Sequence, residues 1–336
     1  MTIKTGIIGA SGYTGLELIK LLVQHPTFRL TLLATTDGGG TVDALHPALA
    51  GVESMPIDTA DVDVIAARCD LVFLALPHKT AMALARPLLH KGLKVVDLSA
   101  DYRLERETYE AHYTEHTDPE HLPEAVYGLI EYYRTPLKSA RLAAGPGCYP
   151  TATLLGLLPL VPYIDTDAPI FVDAKSGVSG AGKKLSETTH FVTVNENIFA
   201  YNPLRHRHAP EIAEQIKKIH GVTPQINFVP HLIPVTRGEL ISIYATLKEP
   251  IDPIALLRNH YAEDAFVRIR ETPVQIKQTA GTHFCDIHAA TNGQAIWINV
   301  AIDNLLRGAA SQALAAANLM SGLDEGVGLP AVACVP

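Results

Sequence analysis

A glycine-rich turn near the start of the chain restricts its fold more than any other feature of the sequence. Residues 9–15, GASGYTG, lie between a short apolar strand pattern at residues 4–8 and a helical pattern at residues 13–23. Glycine allows a tight turn and a close approach to a pyrophosphate, which then lies on the N–H groups of the helix N-terminus. The spacing is GxxGxxG rather than the commoner GxGxxG, so the flanking strand and helix favour a nucleotide site over a merely structural turn. The residues predicted to contact the nucleotide are Gly9, Ser11, Gly12, Tyr13, Thr14 and Gly15.

The segments after this turn predict a doubly wound α/β domain. Apolar strand patterns recur at residues 30–34, 71–76 and 94–98, and a helical pattern lies at residues 80–89. Strands that are apolar on both faces and separated by helices are typical of a parallel sheet covered on each side. We therefore expect an N-terminal Rossmann-type dinucleotide-binding domain.

The second half of the chain has fewer helices for each strand, which predicts an α+β domain. The strand patterns lie at residues 170–174, 225–229, 240–247, 267–269 and 295–302, and the helical patterns at 211–219 and 254–261. An Ala-rich helical pattern at residues 305–320 is expected to return to the first domain. The predicted domains are residues 1–147, joined by the C-terminal segment 304–336, and residues 148–303.

Composition and charge exclude several classes of protein. The 336 residues, 47% of them hydrophobic, suffice for two domain cores. The formal charge is 27 − 35 = −8, and an acidic chain gains nothing from counterion release on nucleic acid. The longest nearly apolar run, residues 154–164, is too short to span a bilayer, and the first residues do not resemble a secretory signal. Four scattered cysteines without a CxxC pair argue against a disulfide framework or a structural zinc site. We expect a cytoplasmic enzyme that acts on a small molecule, without nucleic-acid or membrane partners.

The residues after the second strand pattern bear on the choice between NAD and NADP. An acidic residue there holds the ribose 2′-hydroxyl of NAD, whereas cationic or hydroxyl groups accept the 2′-phosphate of NADP. Thr35 and Thr36 are followed by Asp37, without Arg or Lys. The two hydroxyls, with backbone N–H groups at residues 38–40, could accept a phosphate, and Asp37 opposes one unless its side chain turns outward. The residues alone leave this choice open.

Cys148 is the candidate nucleophile. The segment GPGCYPT, residues 145–151, precedes an apolar helical pattern at residues 152–158, and Pro150 suits a position near the first helical residue. The positive end of a helix favours a thiolate, and neighbouring glycines leave the sulfur accessible and backbone N–H groups available for an oxyanion. The alternative is a small core residue, the interpretation we give to Cys69 and Cys285 in their apolar stretches.

Seven motifs, spread from about residue 3 to residue 325, resemble those of the N-acetyl-γ-glutamyl-phosphate reductases. They are GASGYTG (9–15), LPH (76–78), DLSADYR (97–103), PGCYPT (146–151), SGVSGAG (176–182), HRHAPEI (206–212) and DNLLRGAA (303–310). The resemblance implies a fold similar to aspartate-semialdehyde and glyceraldehyde-3-phosphate dehydrogenases, NADPH as cofactor, an acyl phosphate as substrate and a thioester on Cys148. It also implies a homodimer or homotetramer. The cation that many members carry after the second strand is missing at residues 35–38.

The HRHAPE motif is the expected source of the proton-transfer group. Pro210, followed by acidic and then basic residues, predicts a helix start that leaves His206 and His208 in the loop before it. An imidazole titrating near neutral pH is suited to exchange a proton with a thiol, and Glu211 could fix the tautomer of His208. The resemblance implies functional histidines here, and we expect His208 rather than His206 to be the acid/base. Surface histidines and a metal pair are the alternatives, and without a third ligand at a set spacing no metal is expected.

Arginines are the expected ligands of an anionic substrate, because guanidinium binds carboxylate and phosphate bidentately. The candidates are Arg103, Arg207 and Arg237, each of which could equally be a solvated surface residue. The resemblance places a second glycine-rich loop, residues 175–182, beside the nicotinamide half of the cofactor. The further cofactor residues that it implies are Pro77, Ser176, Gly177, Ser179, Gly180 and Asn304.

The predicted reaction is therefore NADPH-dependent reduction of N-acetyl-γ-glutamyl phosphate to the semialdehyde, with release of phosphate. A reductase of aspartyl phosphate or N-acetyl-aminoadipyl phosphate would use the same residues, since chain-length specificity depends on pocket shape. A nucleotide-sensing Rossmann protein would keep the glycine-rich turn but would have no use for Cys148 or the two histidines.

Overall fold

The chain folds into two units, and the computed structural model describes residues 2–333 of it. The first unit comprises residues 2–146 and Ala309–Leu329, and the second comprises Gly147–Gly308 and residues 330–333. Residues 1 and 334–336 lie outside the described part, and with them Cys334, which the sequence places in a terminal tail. No helix within residues 2–333 has the length and apolar character needed to span a bilayer.

The first unit is built on a seven-stranded parallel sheet. Its strands are β1 (Ile3–Ile8), β2 (Phe28–Thr35), β3 (Ile57–Thr59), β4 (Leu71–Leu74), β5 (Lys94–Asp97), β6 (Ala125–Tyr127) and β7 (Leu142–Ala144). They lie in the order β3-β2-β1-β4-β5-β7-β6, and every neighbouring pair is parallel. The strand order reverses between β1 and β4, which is where doubly wound sheets bind their ligands.

Helices cover both faces of this sheet, which explains why all four residues of β4 are buried. They are α1 (Tyr13–Val23), α2 (Val42–Leu45), α3 (Val62–Arg68), α4 (Ala81–His90), α5 (Arg106–His112) and α6 (Ile130–Leu137). The core between α3, α4 and the sheet is aliphatic, with Ile65, Leu88 and Val95 fully buried. The predicted Rossmann-type domain is confirmed.

The second unit holds a seven-stranded mixed sheet with its long helices on one face. The helices are α7 (Cys148–Leu157), α8 (Phe191–Val194), α9 (His208–His220) and α10 (Pro253–His260). The strands are β8 (Ile170–Gly177), β9 (Phe199–Ala200), β10 (Ile226–Ile233), β11 (Glu239–Thr246), β12 (Val267–Ile269), β13 (Cys285–Asn292) and β14 (Ala295–Ile302). Their order is β12-β13-β14-β11-β8-β10-β9, and α7 packs on β11 and β14 while α9 packs on β10. This α+β arrangement is the predicted one.

The last helix returns to the first unit. One π-helical turn, Leu306–Ala310, leads into α11 (Ser311–Met320), whose ten residues are all buried. The helix packs on α6 and β5, and the Lys94 ammonium donates to the Met320 carbonyl oxygen at 2.6 Å. It ends at Met320, before Gly322 with a φ of 74°, so the remainder of the predicted segment 304–336 that is described, up to residue 333, continues as turns and irregular chain.

Two helices begin earlier than the sequence predicts. Helix α7 begins at Cys148 itself, and α9 begins at His208, so only His206 lies in the loop before it. Both helices therefore carry their proline, Pro150 or Pro210, at the third helical position. Proline is tolerated there because the N–H groups of the first turn have no intrahelical acceptor.

Candidate active site

Cys148 is the first residue of α7 and the part of that helix that reaches the surface. The nine residues after it are buried, whereas Cys148 is partly exposed. Gly147 caps the helix in an extended conformation without a side-chain cap, and the Thr151 N–H closes the first turn on the Gly147 carbonyl oxygen at 2.9 Å. The sulfur therefore stands at the positive end of the helix, where a thiolate is favoured.

Two glycines make room for the neighbours of Cys148. A Cβ atom on Gly147 would lie 2.6 Å from Nε2 of His208, so the imidazole packs directly against the peptide that precedes the cysteine. A Cβ atom on Gly308, the glycine of the DNLLRGAA motif, would lie 2.6 Å from Cβ of Cys148. Side chains at either position would displace a proposed catalytic group.

Glu211 joins the first turn of α9 to the start of α7. Its carboxylate is fully buried and accepts the Gly147 N–H at 2.9 Å. That N–H group is therefore not available to an oxyanion, contrary to the expectation for the glycines beside Cys148. The structure brings His208 and Glu211 together at Gly147, the residue before Cys148, and a role for Glu211 in fixing the His208 tautomer stays a prediction.

His206 is held as a neutral imidazole in an aromatic cluster. Burial, with a contribution from the charge of Arg207, lowers the pKa of His206 to about 4. Its Nδ1 accepts the His208 backbone N–H at 3.3 Å, and its ring centroid lies 4.7 Å from that of His208 and 5.8 Å from that of Tyr149. At neutral pH His206 is thus a hydrogen-bonding group poorly suited to take up a proton, which favours His208 as the base.

This pKa gives His206 a measurable effect on acid stability. The unfolded chain takes up a proton on His206 below pH 6.5, whereas the folded chain does so only near pH 4, so stability is lost as pH falls through that window. We expect His206→Gln to remove about 2 kcal/mol of this loss. Urea unfolding at pH 7 and pH 4.5 measures it, and the exposed His190→Gln serves as control. An unchanged pH dependence in His206→Gln would contradict the placement of this ring.

Glu239 is a neighbour of Cys148 that sequence reasoning missed. It is the first residue of β11, is fully buried and interacts with the Cys148 thiol. Burial raises the pKa of Glu239 to about 8; the hydrogen-bonding interaction with Cys148 lowers it and the charge of Asp303 raises it further. The only sequence signal is a carboxylate at the start of an apolar strand pattern.

The three predicted substrate arginines differ in their contacts and in their exposure. Arg103, in the first unit and buried, donates from Nε to the Gly145 carbonyl at 2.6 Å and from Nη2 to the Leu98 carbonyl at 2.8 Å. Arg237, in the second unit, pairs with the buried Asp303 at 3.2 Å. Arg207 is exposed at the N-cap of α9. Substrate binding by each stays a prediction.

The glycine-rich turn forms a cradle in the first unit. Gly9 has a φ of 97°, and a Cβ atom on it would lie 2.2 Å from the Ala75 carbonyl oxygen. A Cβ atom on Gly15 would lie 2.3 Å from the Gly9 carbonyl oxygen. Gly12 caps α1, which has no side-chain cap and no acidic residue in its first turn, and Ser11, Tyr13 and Thr14 complete the turn. An uncapped helix start behind a glycine turn fits a pyrophosphate.

In the turn after β2, some of the groups expected to hold a 2′-phosphate form hydrogen bonds within the protein. The Gly38 N–H donates to Oγ1 of Thr35 at 3.0 Å, and the Gly39 N–H donates to the Ile57 carbonyl at 2.7 Å. These two N–H groups are therefore engaged within the protein, which corrects the expectation for Gly38 and Gly39, while that for Gly40 stays a prediction. Hydroxyl protons of Thr35 and the exposed Thr36 remain as donors, beside the exposed Asp37.

A cleft of about 350 Å³ lies at the carboxyl ends of β1 to β4. Its lining is largely uncharged: Ile8, Thr36, Thr59, Ala60, Asp61, Leu76, Thr80 and Leu84. Its position suits the adenosine half of a dinucleotide. Thr59 and Thr80 were not predicted: Thr59 is the last residue of the short strand β3 and Thr80 lies in the turn after β4, so neither stands out from its neighbours. Pro77, which was predicted, is exposed after β4 and its carbonyl accepts the Thr80 N–H at 3.3 Å.

The remaining predicted cofactor residues cluster in the second unit. Asn304 donates from Nδ2 to Oγ of Ser179 at 3.0 Å and accepts the Gly238 N–H at 2.8 Å. Ser176 is buried at the end of β8, and a Cβ atom on Gly180 would lie 2.8 Å from its Oγ. A Cβ atom on Gly177 would lie 2.8 Å from the Thr236 carbonyl oxygen. Backbone and side-chain packing thus fix the shape of this loop.

A group of potential metal ligands in the described residues lies away from these motifs. Asp118, Glu120 and His121 offer one ligand atom each within 4.8 Å of one another. Asp118 already accepts the Tyr102 hydroxyl at 2.6 Å and faces Nδ1 of His121 at 2.7 Å. These contacts are those of a buried hydrogen-bond network, and the expectation of no metal stays a prediction.

Family models and curated relatives match both halves of the chain. The model for the semialdehyde dehydrogenase NAD binding domain matches residues 4–140, and that for the semialdehyde dehydrogenase dimerisation domain matches residues 148–304. The chain is 71% identical over 334 residues to an N-acetyl-gamma-glutamyl-phosphate reductase of Sulfurovum sp. (strain NBC37-1), covering 99% of this chain and 100% of the relative. It is 59% identical to the protein of that name from Wolinella succinogenes, with 99% of each chain covered.

Solved structures share the fold at low sequence identity. Aspartate semialdehyde dehydrogenase II of Vibrio cholerae, complexed with ASA, superposes with a TM-score of 0.71 at 16% identity, covering 96% of this chain and 99% of that one. Aspartate semialdehyde dehydrogenase of Candida albicans, with NADP, superposes with a TM-score of 0.68 at 14% identity, covering 97% and 100%. These two similarities concern the fold alone.

Proposed function

Because this chain belongs to the N-acetyl-gamma-glutamyl-phosphate reductases of the semialdehyde dehydrogenase family, we propose that it reduces N-acetyl-γ-glutamyl phosphate to N-acetyl-L-glutamate 5-semialdehyde. Phosphate is released, and the product serves arginine biosynthesis. The observation that carries the proposal is Cys148 at the first residue of α7, with the His208 ring packed against the peptide before it. A thiol and an imidazole so placed are the pair that acyl transfer requires.

The residues around Cys148 suit two successive steps at one carbon. His208 takes the thiol proton, and the thiolate attacks the acyl carbon, so that a C–S bond forms and the bond to phosphate oxygen breaks. NADPH, when bound, supplies a hydride to the thioester carbon. The resulting oxyanion is stabilised by the positive end of α7 and collapses to the aldehyde, releasing the Cys148 thiolate. His206, neutral and hydrogen-bonded, orients the polar groups of the substrate.

We assign NADP(H) binding to residues 1–147 with 304–336 and catalysis to residues 148–303. The glycine cradle and the largely uncharged cleft at the ends of β1 to β4 support the first assignment. Cys148, His208 and Glu211 support the second, and the hydrogen-bonded loop of Ser179 and Asn304 is assigned to the nicotinamide half. The candidates for binding the substrate anion are Arg103, Arg207 and Arg237.

We also propose that the protein resides in the cytoplasm, a reducing compartment, and that it assembles as a homodimer or homotetramer. The chemistry requires Cys148 as a thiol, and Cys69, Cys148 and Cys285 form no disulfide within residues 2–333. The family model for residues 148–304 is named for dimerisation. In that unit Phe171 and Tyr244 are paired across β8 and β11 and are 49% and 47% exposed, an apolar pair that a second subunit would cover.

The phosphate-dependent reverse reaction tests this function and its chain length together. N-acetylglutamate semialdehyde is offered with NADP⁺ and phosphate, in parallel with aspartate semialdehyde and the N-acetyl-aminoadipate analogue. We expect the highest kcat/KM with N-acetylglutamate semialdehyde. A higher value with either analogue would reassign the substrate, and no turnover of any aldehyde would favour a nucleotide-sensing protein.

We expect the protein to prefer NADPH over NADH by a modest factor. The hydroxyls of Thr35 and Thr36 favour NADPH, whereas the exposed Asp37 repels a 2′-phosphate and no arginine stands beside it. A bidentate charged contact is worth about 1.5–3 kcal/mol, so Asp37→Arg should raise the NADPH/NADH ratio of kcat/KM about 10- to 100-fold. Glu107→Arg, at an exposed position of α5, controls for net charge. Wild-type preference for NADH, or no gain in Asp37→Arg, would show that residues 35–40 do not hold the phosphate.

A further inference from the structure

Glu239 stands where three elements of the second unit meet. As the first residue of β11 it pairs with Ser176 of β8 on one side and with Ile302 of β14 on the other. Helix α7 packs on β11 and β14, and the Gly308 turn after β14 contacts Cβ of Cys148. The strand register therefore aims a fully buried carboxyl group at the start of α7.

Within the described residues, none of the groups that act electrostatically on this carboxyl is a cation. Apart from the Cys148 thiol, neither oxygen of Glu239 has a hydrogen-bond partner among residues 2–333. The other titratable groups that act on it or feel its charge are Asp303, which is paired with Arg237, and the phenols of Tyr149 and Tyr201. Each of these is neutral or negative toward the carboxyl, so a second negative charge on the sulfur is costly while Glu239 is ionised.

We propose that Glu239 and Cys148 share a single proton, so that Glu239 is a further catalytic residue that acts on the reacting sulfur. Once His208 has taken the thiol proton, the carboxyl proton of Glu239 is the one that remains, and the thiolate accepts a hydrogen bond from the neutral carboxyl. This inference rests on the proposed function, in which Cys148 is the nucleophile. The pKa of Glu239, near 8, is that of a group able to hold this proton around neutral pH.

The shared proton serves both chemical steps without being consumed. When the thiolate becomes a thioester, its negative charge passes to the departing phosphate and the proton stays on the Glu239 carboxyl. When the oxyanion later collapses, the C–S bond electrons return to the sulfur, and the same carboxyl O–H stabilises the leaving thiolate. Glu239 thus acts as a fixed donor to the sulfur, while His208 exchanges protons with solvent and substrate.

A shared proton predicts two ionisation steps for the pair instead of one. Below the first step the thiol and the carboxyl are both protonated, between the steps one proton is shared, and above the second step both groups are ionised. In Glu239→Gln the amide cannot ionise and is a weaker donor to sulfur. The thiolate should therefore be less populated than in wild type at low pH and more populated at high pH.

The test is the rate at which iodoacetamide modifies Cys148 from pH 6 to pH 10, followed by mass spectrometry of the peptide that holds it. We expect Glu239→Gln to react about 5- to 10-fold more slowly than wild type at pH 6.5 and about 3- to 10-fold faster at pH 9.5. The two curves should cross near pH 8. A merely structural change would shift the rates in one direction at every pH, and curves that do not cross would overturn the proposal.

The matched control is Glu214→Gln, because Glu214 is also a buried glutamate of this unit, on α9 and paired with Lys218 at 3.1 Å. Its curve should overlay that of wild type. If Glu239→Gln does not fold, the pH titration of thiolate absorbance near 240 nm in the wild-type protein decides the question, with the absorbance of Cys148→Ser subtracted. Two ionisation steps are expected for the Cys148 thiolate. A single step would refute the shared proton. Turnover that survives Cys148→Ser would instead refute the proposed function.

Discussion

Cys148→Ser is expected to lower turnover at least about 10³-fold while leaving NADP(H) binding unchanged. The positive end of α7 favours a thiolate, but a serine hydroxyl is too weak an acid for the same helix to supply an alkoxide at neutral pH. In wild type, acyl phosphate without NADPH should leave an acyl adduct on the peptide that holds Cys148. Mass spectrometry detects the adduct, and cofactor fluorescence measures binding.

The matched control for this substitution is Cys69→Ser. Cys69 is buried in the first unit, and its Sγ lies 3.6 Å from Oγ1 of Thr31, so a serine hydroxyl there keeps a hydrogen-bond partner. We expect its turnover to stay near that of wild type. An acyl adduct on the peptide of Cys285, or near-normal activity in Cys148→Ser, would remove Cys148 from the mechanism.

His208→Asn is expected to lower kcat about 10²- to 10⁴-fold, the usual contribution of a positioned acid/base, with a smaller change in KM. Asparagine keeps a polar group against Gly147, where the imidazole packs, but it cannot take up the thiol proton. His206→Asn should act mainly on KM, because the neutral His206 already holds its Nδ1 in a hydrogen bond to the His208 N–H. Steady-state kinetics of both variants, across pH 6 to 9, separates the two roles.

The opposite pattern, with kcat lost in His206→Asn and KM raised in His208→Asn, would exchange the two assignments. Loss of wild-type activity on dialysis against a chelator would revive the metal-pair interpretation of the HRH motif. Both measurements use the intact enzyme, and a thermal unfolding midpoint close to that of wild type shows that the variants are folded.

The parts of the site that local sequence determines were predictable. The glycine turn and Cys148 lie in short motifs whose conformation depends on adjacent residues, and the resemblance that they carry is confirmed by relatives of high identity. The start of α9 differs from the predicted one because proline is allowed throughout the first turn of a helix, so Pro210 does not mark the boundary. His208 therefore belongs to the helix.

The parts that depend on strand register were not predictable. Glu239 reaches Cys148 because β11 pairs with both β8 and β14, and no spacing in the sequence encodes those two registers. The three-residue strands β3, β6 and β7 have too little pattern of their own and exist through pairing with longer strands or with each other. The hydrogen bonds of Arg103 to the carbonyls of Leu98 and Gly145 are likewise tertiary contacts that the sequence does not indicate.

The contact between Gly308 and Cys148 has a consequence for how the enzyme is made. The main segment of the second unit runs from residue 147 to residue 308, so Cys148 and Gly308 lie at its beginning and its end along the chain. On the ribosome, the nucleophile emerges about 160 residues before the glycine that closes over its Cβ atom. The reactive thiol therefore acquires its final surroundings only when synthesis of the unit is complete, and a truncated nascent chain carries the cysteine without the site.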